Sequence, residues 1–215
     1  MSRHGSATAV LVDYDGTITD RDTLDVLLEH ADGERVWREI EDALARREIS
    51  LRDALDRQAA LVRCTLDEAD DLLRAQTRFD PAFAPFVERC AALGMAVSIV
   101  SSGVEPLIRR ALERNGLGEL PVVANGVNAS AEGWRLHYRD ASPNGTDKLA
   151  VVRRARDNGE TVAYVGDGFS DFDAARAADR RYAKAGRTLA VHLEEAGLAF
   201  TAFGSFAEIA PASLR

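Results

Sequence analysis

The hydrophobic pattern changes abruptly near the start of the chain. Residues 7–12 form a mostly apolar run with the length and composition of a buried strand. Residues 20–76 are instead rich in Leu, Ala, Arg, Asp and Glu at helical spacing, with Gly33 as the breaker. The pattern predicts one buried strand followed by three or four short helices that pack as a small all-α unit.

Two capping boxes support the helical prediction. Ser50 is followed three residues later by Asp53, and Thr65 is followed at the same spacing by Glu68. In such a box the hydroxyl accepts from the backbone of the acidic residue, whose carboxylate accepts in return from the backbone of the cap. Each pair therefore predicts the first turn of a helix.

From residue 80 onward, short apolar runs alternate with helical segments. The predicted strands are residues 95–100, residues 161–166 and two weaker ones around Tyr182 and Phe200; the predicted helices are residues 80–94, 105–115, 147–157 and 171–178. Residues 121–140 are typical of short strands and a hairpin. This alternation indicates a parallel sheet with right-handed crossovers. The predicted fold class is α/β, with a Rossmann-like core of residues 1–19 and 80–215 and a helical cap of residues 20–79.

Polar side chains follow three of the predicted strands. Ligands of parallel α/β sheets bind at the carboxyl ends of the strands, which meet at one edge. The residues expected at that edge are Asp13, Asp15, Ser101, Ser102, Asp167 and Asp171. Their common placement favours a functional site over three unrelated turns.

Composition narrows the class of function. The chain has 215 residues, is 46% hydrophobic and carries a formal net charge of −8. Nucleic-acid partners bind basic faces, so this charge argues against them. Two cysteines, a polar N-terminus and the absence of a membrane-length apolar run predict a cytoplasmic protein with reduced thiols and no membrane partner. The sequence assigns no oligomeric state.

Two of the polar clusters can also be interpreted in other ways. The stretch DYDGT could be a plain turn at the end of a strand. An EF-hand calcium loop is excluded, because the twelfth residue counted from Asp13 is Leu24 rather than a glutamate. The stretch YVGDGFSDFD resembles the start of a dinucleotide loop, but Asp171 stands at the third glycine position and would repel a pyrophosphate. Carboxylates at two strand ends suit Mg²⁺ better, since that ion binds through one or two carboxylates and a substrate phosphate.

Two lysines could supply a cation at this edge. Lys148 and Lys184 are the two lysines among the chain's 27 lysines and arginines, so arginine is its usual cation. The choice of lysine at these positions indicates a need for a compact point charge. Lys148 begins the predicted helix 147–157, whereas Lys184 follows a late strand. We therefore expect Lys148 to supply the cation at this edge. The serines before the helix at 105–115 are expected to form a phosphate cradle.

Taken in chain order, the motifs resemble the four-motif signature of the haloacid dehalogenase superfamily: Asp13-x-Asp15-x-Thr17, Ser101, Lys148 and Gly166-Asp167-Gly168-x-x-Asp171. The helical segment after the first motif resembles the cap of the phosphoserine-phosphatase-like branch. Within that branch, DYDGTITDRD and YAKAGRTLAVHLEEAGLAF look most like the 2-hydroxy-3-keto-5-methylthiopentenyl-1-phosphate phosphatase group.

The resemblance implies a phosphomonoesterase. Asp13 would attack phosphorus to form an aspartyl-phosphate, and Asp15 would act as general acid and then base. Ser101 and Lys148 would hold the phosphoryl oxygens. The implied Mg²⁺ ligands are Asp13, Asp15 through its backbone carbonyl, Asp167 and Asp171, the last of which would orient either Lys148 or a metal-bound water. The expected substrate-binding residues are Thr17, Asp22, Arg57, Ser101, Ser102, Gly103 and Ser170.

The substrate is expected to be a small phosphorylated metabolite. Aligned on phosphoserine phosphatases, the position of the ammonium-binding glutamate falls on Asp22 and that of the carboxylate-binding arginine on Asp56. Arg57 is adjacent but points about 100° away on a helix. We therefore expect poor phosphoserine hydrolysis and better activity on a ketose- or enediol-1-phosphate. The alternatives are a phosphoserine phosphatase and a non-catalytic binding module with the same fold; a dehalogenase proper is disfavoured by Asp15 and the metal carboxylates.

Overall fold

The apolar run at the start of the chain forms the centre of a sheet. A computed structural model describes residues 7–31 and 33–215. Within these residues the strands are β1 (Thr8–Val12), β2 (Met95–Val104), β3 (Val122–Asn128), β4 (Arg135–His137), β5 (Thr161–Gly166), β6 (Arg180–Lys184) and β7 (Thr201–Phe203). Their order is β4-β3-β2-β1-β5-β6-β7, and every pair is parallel except β3 with β4. The predicted α/β fold class is confirmed.

Helices connect the strands on both faces of the sheet. In the described part of the chain they are α1 (Thr23–Glu29), α2 (Glu34–Ala45), α3 (Leu51–Ala59), α4 (Leu66–Gln76), α5 (Phe83–Ala92), α6 (Glu105–Arg114), α7 (Lys148–Asp157), α8 (Phe172–Ala177) and α9 (Thr188–Glu195). Short 3₁₀ helices lie at Phe169–Asp171 and Pro211–Leu214. No helix among the described residues combines the length and the apolar character that crossing a membrane requires.

The central strand is buried on both faces, as its unbroken apolar run indicates. Val10 and Val12 face one apolar cluster, which includes Phe83, Phe86 and other aromatic side chains. Leu11, on the opposite face, packs in a second cluster. Because β1 is fixed from both sides and paired on both edges, the residue that follows it has a well-defined position.

The helical insertion, α1 to α4, lies between β1 and α5. Both predicted capping boxes are present, Ser50 with Asp53 and Thr65 with Glu68. The insertion packs on the β3–β4 hairpin through Trp134, whose indole donates to the Cys64 carbonyl at 2.7 Å. The chain enters and leaves the insertion side by side. The division into a cap of residues 20–79 and a core of residues 1–19 and 80–215 stays a prediction.

Two boundaries differ from the sequence prediction. Strand β2 continues through the serines to Val104 because it pairs beyond a register shift with β3. Helix α5 begins at Phe83 rather than at Asp80, and residues 81–82 form a turn ahead of it. The Asp80 carboxylate accepts from the backbone of Ala82 within this turn and from that of Phe206, both at 2.9 Å, so it ties the start of α5 to the C-terminal segment.

Candidate active site

The strand register brings three polar segments together. Val12, the last residue of β1, pairs with Ile99 on one side and Val165 on the other. The backbone N–H of the next residue, Asp13, donates to the Val165 carbonyl at 2.9 Å. Asp13 therefore leaves the sheet between the end of β2, which carries the serines, and the end of β5, which carries Asp167.

Asp13 and Lys148 form a buried ion pair. The Lys148 ammonium lies 2.9 Å from Asp13 Oδ1 and 2.7 Å from Asp171 Oδ1, and the lysine is 2% exposed. Burial alone would lower the pKa of Lys148, but the two carboxylates hold it above its usual range. Asp147 caps α7 by accepting from Ala150 at 2.8 Å, which fixes the start of the helix that carries Lys148.

Asp171 holds Lys148 in place. Its carboxylate also accepts from the Tyr164 hydroxyl at 2.7 Å and from the backbone of Asp167 and Gly168 at 3.0 and 2.9 Å. Burial would raise the pKa of Asp171, but Lys148 and these donors keep it below its ordinary value. With both oxygens used in this way, Asp171 orients the lysine, which was one of its two predicted roles.

Asp15 is positioned by the first turn of the helical insertion. Its Oδ1 accepts from the backbone N–H and the hydroxyl of Thr23, at 3.0 and 2.5 Å, and Ser101 Oγ lies 3.4 Å from its other oxygen. Burial, and then the charge of Asp22, raise the pKa of Asp15 to about 7. A carboxyl with such a pKa can donate a proton and take one back near neutral pH.

The carboxylates around Asp13 fit a hard dication. Ligand oxygens of Asp13, Asp167 and Asp171 lie within 4.8 Å of one another, and Thr17 Oγ1 donates to Asp167 at 3.0 Å. Burial foremost, with repulsion from Asp171, raises the pKa of Asp13 well above its ordinary value and that of Asp167 to about 6. Three carboxylates that share one ammonium are short of positive charge, and oxygen donors suit Mg²⁺.

The predicted ligands contribute unequally to this cluster. Because the oxygens of Asp171 are occupied by donors, Asp13 and Asp167 offer the more accessible ones. The side chain of Asp15 lies outside the cluster, so its predicted contribution rests on the backbone carbonyl.

Glycines let the carboxylates approach the backbone. A Cβ added at Gly166 would lie 2.6 Å from Asp171 Oδ2, and one added at Gly103 would overlap Asp15 Oδ2. Gly16 combines a φ of 72° with a Cβ direction that points into Asp167. An alanine at any of these positions would displace a carboxylate of the site.

The serine-rich end of β2 is only partly free for a ligand. Ser101 Oγ accepts from the backbone N–H of Gly103 at 2.9 Å and faces Asp15. Ser102 Oγ donates to the Asn144 carbonyl at 2.7 Å and so ties the following loop to the strand. The Ser102 hydroxyl and the Gly103 N–H, both predicted to bind substrate, are thus already used within the protein.

The other predicted substrate residues have separate positions. Thr17 is fully buried, and its hydroxyl donates to Asp167. Ser170 lines the cavity described below. Asp22 also lines it, but its carboxylate caps α1 by accepting from Leu24 and Asp25. The assignment of Arg57 needs correction: this side chain is exposed on α3 and does not line the cavity, because its helical position turns it away.

A cavity of about 860 Å³ lies between the carboxyl edge of the sheet and the helical insertion. Its floor includes Asp13, Asp15, Ser101 and Lys148. Much of the remaining lining is apolar, although Asp25, Glu41 and Arg47 also contribute to it. The leucines that line the cavity are Leu24, Leu27, Leu44, Leu51, Leu55, Leu107 and Leu136. The arrangement presents a charged, reactive floor to one end of a ligand and an apolar wall to the other.

Several contributing residues could not be identified from sequence motifs. Tyr164 and Thr23 position Asp171 and Asp15, yet each reads as an ordinary strand or helix residue. Asn125 is fully buried and donates to the Ser102 carbonyl at 2.8 Å. Lys184, the competing lysine, donates to the Thr17 carbonyl at 3.0 Å and lies near the Phe203 ring. Lys184 therefore supports the loop that follows β1.

Comparisons with known proteins agree with this geometry. The family model described as haloacid dehalogenase-like hydrolase matches residues 10–176. The chain is 34% identical to Pdp3-interacting factor 1 of Schizosaccharomyces pombe, over 93% of this chain and 92% of that protein. It is 26% identical to polyol phosphate phosphatase PYP1 of Saccharomyces cerevisiae, over 93% and 90% of the two chains.

Two further comparisons bear on the predicted branch. The chain is 25% identical to a 2-hydroxy-3-keto-5-methylthiopentenyl-1-phosphate phosphatase of Exiguobacterium sibiricum, over 93% of each chain. A substrate-bound phosphoserine phosphatase superposes with a TM-score of 0.75 at 16% identity, over 96% of this chain and 98% of that one, which shows a shared fold. The resemblance drawn from the motifs is confirmed.

Proposed function

This chain belongs to the haloacid dehalogenase-like hydrolase family, and from that premise we propose that it hydrolyses a small phosphomonoester through an aspartyl-phosphate on Asp13. The observation that carries the proposal is the convergence of Asp13, Asp15 and Lys148 on the floor of one cavity. A phosphomonoesterase needs a nucleophile, a proton donor and neutralisation of phosphoryl charge, and these residues supply all three.

The reaction proceeds in two steps. In the first, an Asp13 oxygen bonds to phosphorus while the bond to the leaving group breaks, and Asp15 gives its proton to the departing oxygen. In the second, Asp15 takes a proton from water as the water oxygen bonds to phosphorus, and inorganic phosphate leaves Asp13. The pKa of about 7 supports both roles of Asp15. Lys148 and Ser101 stabilise the transferred oxygens.

Mg²⁺ is the proposed cofactor. Asp13 and Asp167, with the backbone carbonyl of Asp15, would hold the ion, while Asp171 keeps Lys148 beside Asp13. The ion would supply positive charge that screens the carboxylate nucleophile from the phosphate.

The wall of the cavity supports an uncharged leaving group. At the position where phosphoserine phosphatases place a cation for the substrate carboxylate, this chain has Asp56, which is engaged by the Tyr138 hydroxyl at 2.9 Å, and the adjacent Arg57 lies outside the cavity. The arginines that line the cavity, Arg47 and Arg187, stand at other positions of the chain. Asp22, at the ammonium position, caps α1 through Oδ1. A carbon chain can pack against the leucine wall. Two of the relatives named above are a polyol phosphate phosphatase and a 2-hydroxy-3-keto-5-methylthiopentenyl-1-phosphate phosphatase. We therefore propose a ketose-, enediol- or polyol phosphate as substrate.

A substrate panel tests this proposal. We would measure kcat/KM with Mg²⁺ for p-nitrophenyl phosphate, fructose 1-phosphate, glycerol 3-phosphate and phosphoserine on one preparation, with Asp13→Asn as the inactive control. The expected result is Mg²⁺-dependent hydrolysis with at least a tenfold preference for a neutral-tailed substrate over phosphoserine. A phosphoserine value near 10⁴ M⁻¹s⁻¹, in the range of good enzymes, and above the others would favour the phosphoserine phosphatase alternative. Absence of hydrolysis of every substrate would favour the binding module.

A further inference from the structure

Helix α2 ends in an unusual way. Five helices of the described chain are followed, one residue after the cap, by a residue in the left-handed region. Four of these residues are glycines: Gly94, Gly116, Gly159 and Gly197. The fifth is Arg47, with a φ of 59°, and no other described non-glycine residue has a positive φ. An arginine therefore occupies a position that this chain otherwise gives to glycine.

The backbone at Arg47 is held by a complete Schellman motif. The N–H of Glu48 donates to the Ala43 carbonyl and the N–H of Arg47 to the Leu44 carbonyl, both at 2.9 Å. Glycine is the usual residue at this position because a Cβ is sterically unfavourable there. Since the motif needs no side chain at residue 47, local stability does not explain the arginine. Strain of this kind is often found where a side chain serves a ligand.

Arg47 is among the residues that line the cavity, and its neighbour Arg46 is not. Arg47 lines the cavity between the helical insertion and the reactive floor, as do Asp25 and Glu41. Its guanidinium has no hydrogen-bond or ion-pair partner in residues 7–31 and 33–215. Arg46 instead pairs with Glu48 at 2.8 Å and does not line the cavity. The two adjacent arginines thus have different surroundings.

We infer that Arg47 is a specificity-determining residue that binds hydroxyl or carbonyl oxygens of the leaving group. This inference rests on the proposed function of the same site. A guanidinium has only donors, so it recognises acceptor oxygens, whereas the carboxylates of Asp25 and Glu41, which line the same cavity, accept from hydroxyl hydrogens. A polyhydroxylated tail offers both kinds of group. Such a tail would lie between the leucine wall and these polar residues while its phosphate reaches Asp13.

The test is Arg47→Gly, which gives α2 the same end as the other four helices. Relief of the left-handed strain should raise Tm by about 2–4 °C. Loss of a charge-assisted hydrogen bond should lower kcat/KM for fructose 1-phosphate or glycerol 3-phosphate by roughly 10–100-fold, mainly through KM. The loss with p-nitrophenyl phosphate, which has no hydroxyl tail, should be at least fivefold smaller. Arg47→Lys should recover part of the loss.

Arg46→Gly is the matched control. It places glycine one residue earlier, where φ is −78°, so it should lower Tm and leave kcat/KM unchanged. An Arg47→Gly variant that is more stable but keeps the wild-type substrate preference would overturn the inference and leave the phosphatase proposal intact. A loss confined to phosphoserine would also overturn it, because the arginine would then bind a carboxylate. Wild-type protein that hydrolyses no phosphomonoester would overturn the proposed function and this inference together.

Discussion

Lys148→Ala removes a buried ammonium from between two carboxylates. The lysine contacts Asp13 at 2.9 Å and Asp171 at 2.7 Å, and it is 2% exposed. Without it, Asp13, Asp167 and Asp171 remain within 4.8 Å of one another. The substitution therefore tests both the stability of the site and the proposed charge stabilisation of the transferred phosphoryl group.

The magnitudes follow from this environment. Removing one partner of a buried ion pair leaves an uncompensated charge and typically costs about 3–5 kcal/mol of unfolding free energy. Part of this cost will be relieved as Asp13 takes up a proton, because burial already raises its pKa. We therefore expect a loss near the lower end of that range. Loss of a donor that stabilises phosphoryl charge should reduce kcat by roughly 10²–10³-fold.

Lys184→Ala is the matched comparison. This lysine is half-buried and donates to a carbonyl, that of Thr17, at 3.0 Å. Its removal should cost about 0.5–1.5 kcal/mol and change kcat by less than about threefold. Urea unfolding monitored by circular dichroism gives the free energies, and p-nitrophenyl phosphate hydrolysis with saturating Mg²⁺ gives kcat. Equal kcat losses in the two variants, or a loss in Lys184→Ala alone, would refute the assignment of Lys148.

Two further substitutions probe the surroundings of the reactive residues. Gly103→Ala should lower kcat by about 10–100-fold with little change in KM, because the added methyl displaces Asp15; steady-state kinetics with unchanged kcat would contradict this. Asp25→Asn should raise Tm at pH 8 by about 2–8 °C and much less at pH 4. Burial, then Asp22 and Glu41, raise the pKa of Asp25 to about 7, so the folded state bears a charge penalty above pH 7 that vanishes as pH falls towards 4. For a fully buried carboxyl this pKa shift would correspond to a penalty of about 4 kcal/mol, and exposure to the cavity reduces the penalty to about 1–2 kcal/mol. Equal gains in Tm at both pH values would be inconsistent with this cause.

The sequence predicted the features that follow from backbone topology. An apolar run followed by Asp13 has a defined position once the sheet is parallel, since parallel strands end at one edge. The structure brings Ser101, Lys148 and Asp167 to that edge as expected. The capping boxes were readable for a similar reason, because a hydroxyl and a carboxylate at fixed spacing form a local interaction that needs no tertiary contact.

The features that the sequence could not predict depend on side-chain direction and tertiary contacts. Arg57 was proposed as the neighbour of the aligned position, Asp56, and neither residue lines the cavity. Tyr164 acts through a hydrogen bond to Asp171 seven residues away across a turn. Arg47 could not be identified from the sequence, because a helix end is recognised by its glycine and residue 47 is an arginine. The hydroxyl of Ser102 likewise depends on a loop 42 residues further along the chain.

Covalent phosphorylation of Asp13 can be observed by trapping the phosphorylated protein. Wild-type enzyme turning over p-nitrophenyl phosphate with Mg²⁺ would be quenched in acid, reduced with borohydride and digested for mass spectrometry. We expect homoserine at position 13 in the wild-type protein, an unmodified carboxyl at Asp15, and no homoserine in Asp13→Asn. Asp13→Asn should also lose at least about 10³-fold in kcat. An unmodified Asp13 in an active enzyme, together with an Asp13→Asn variant that keeps more than about a tenth of wild-type kcat, would show that Asp13 is not the nucleophile.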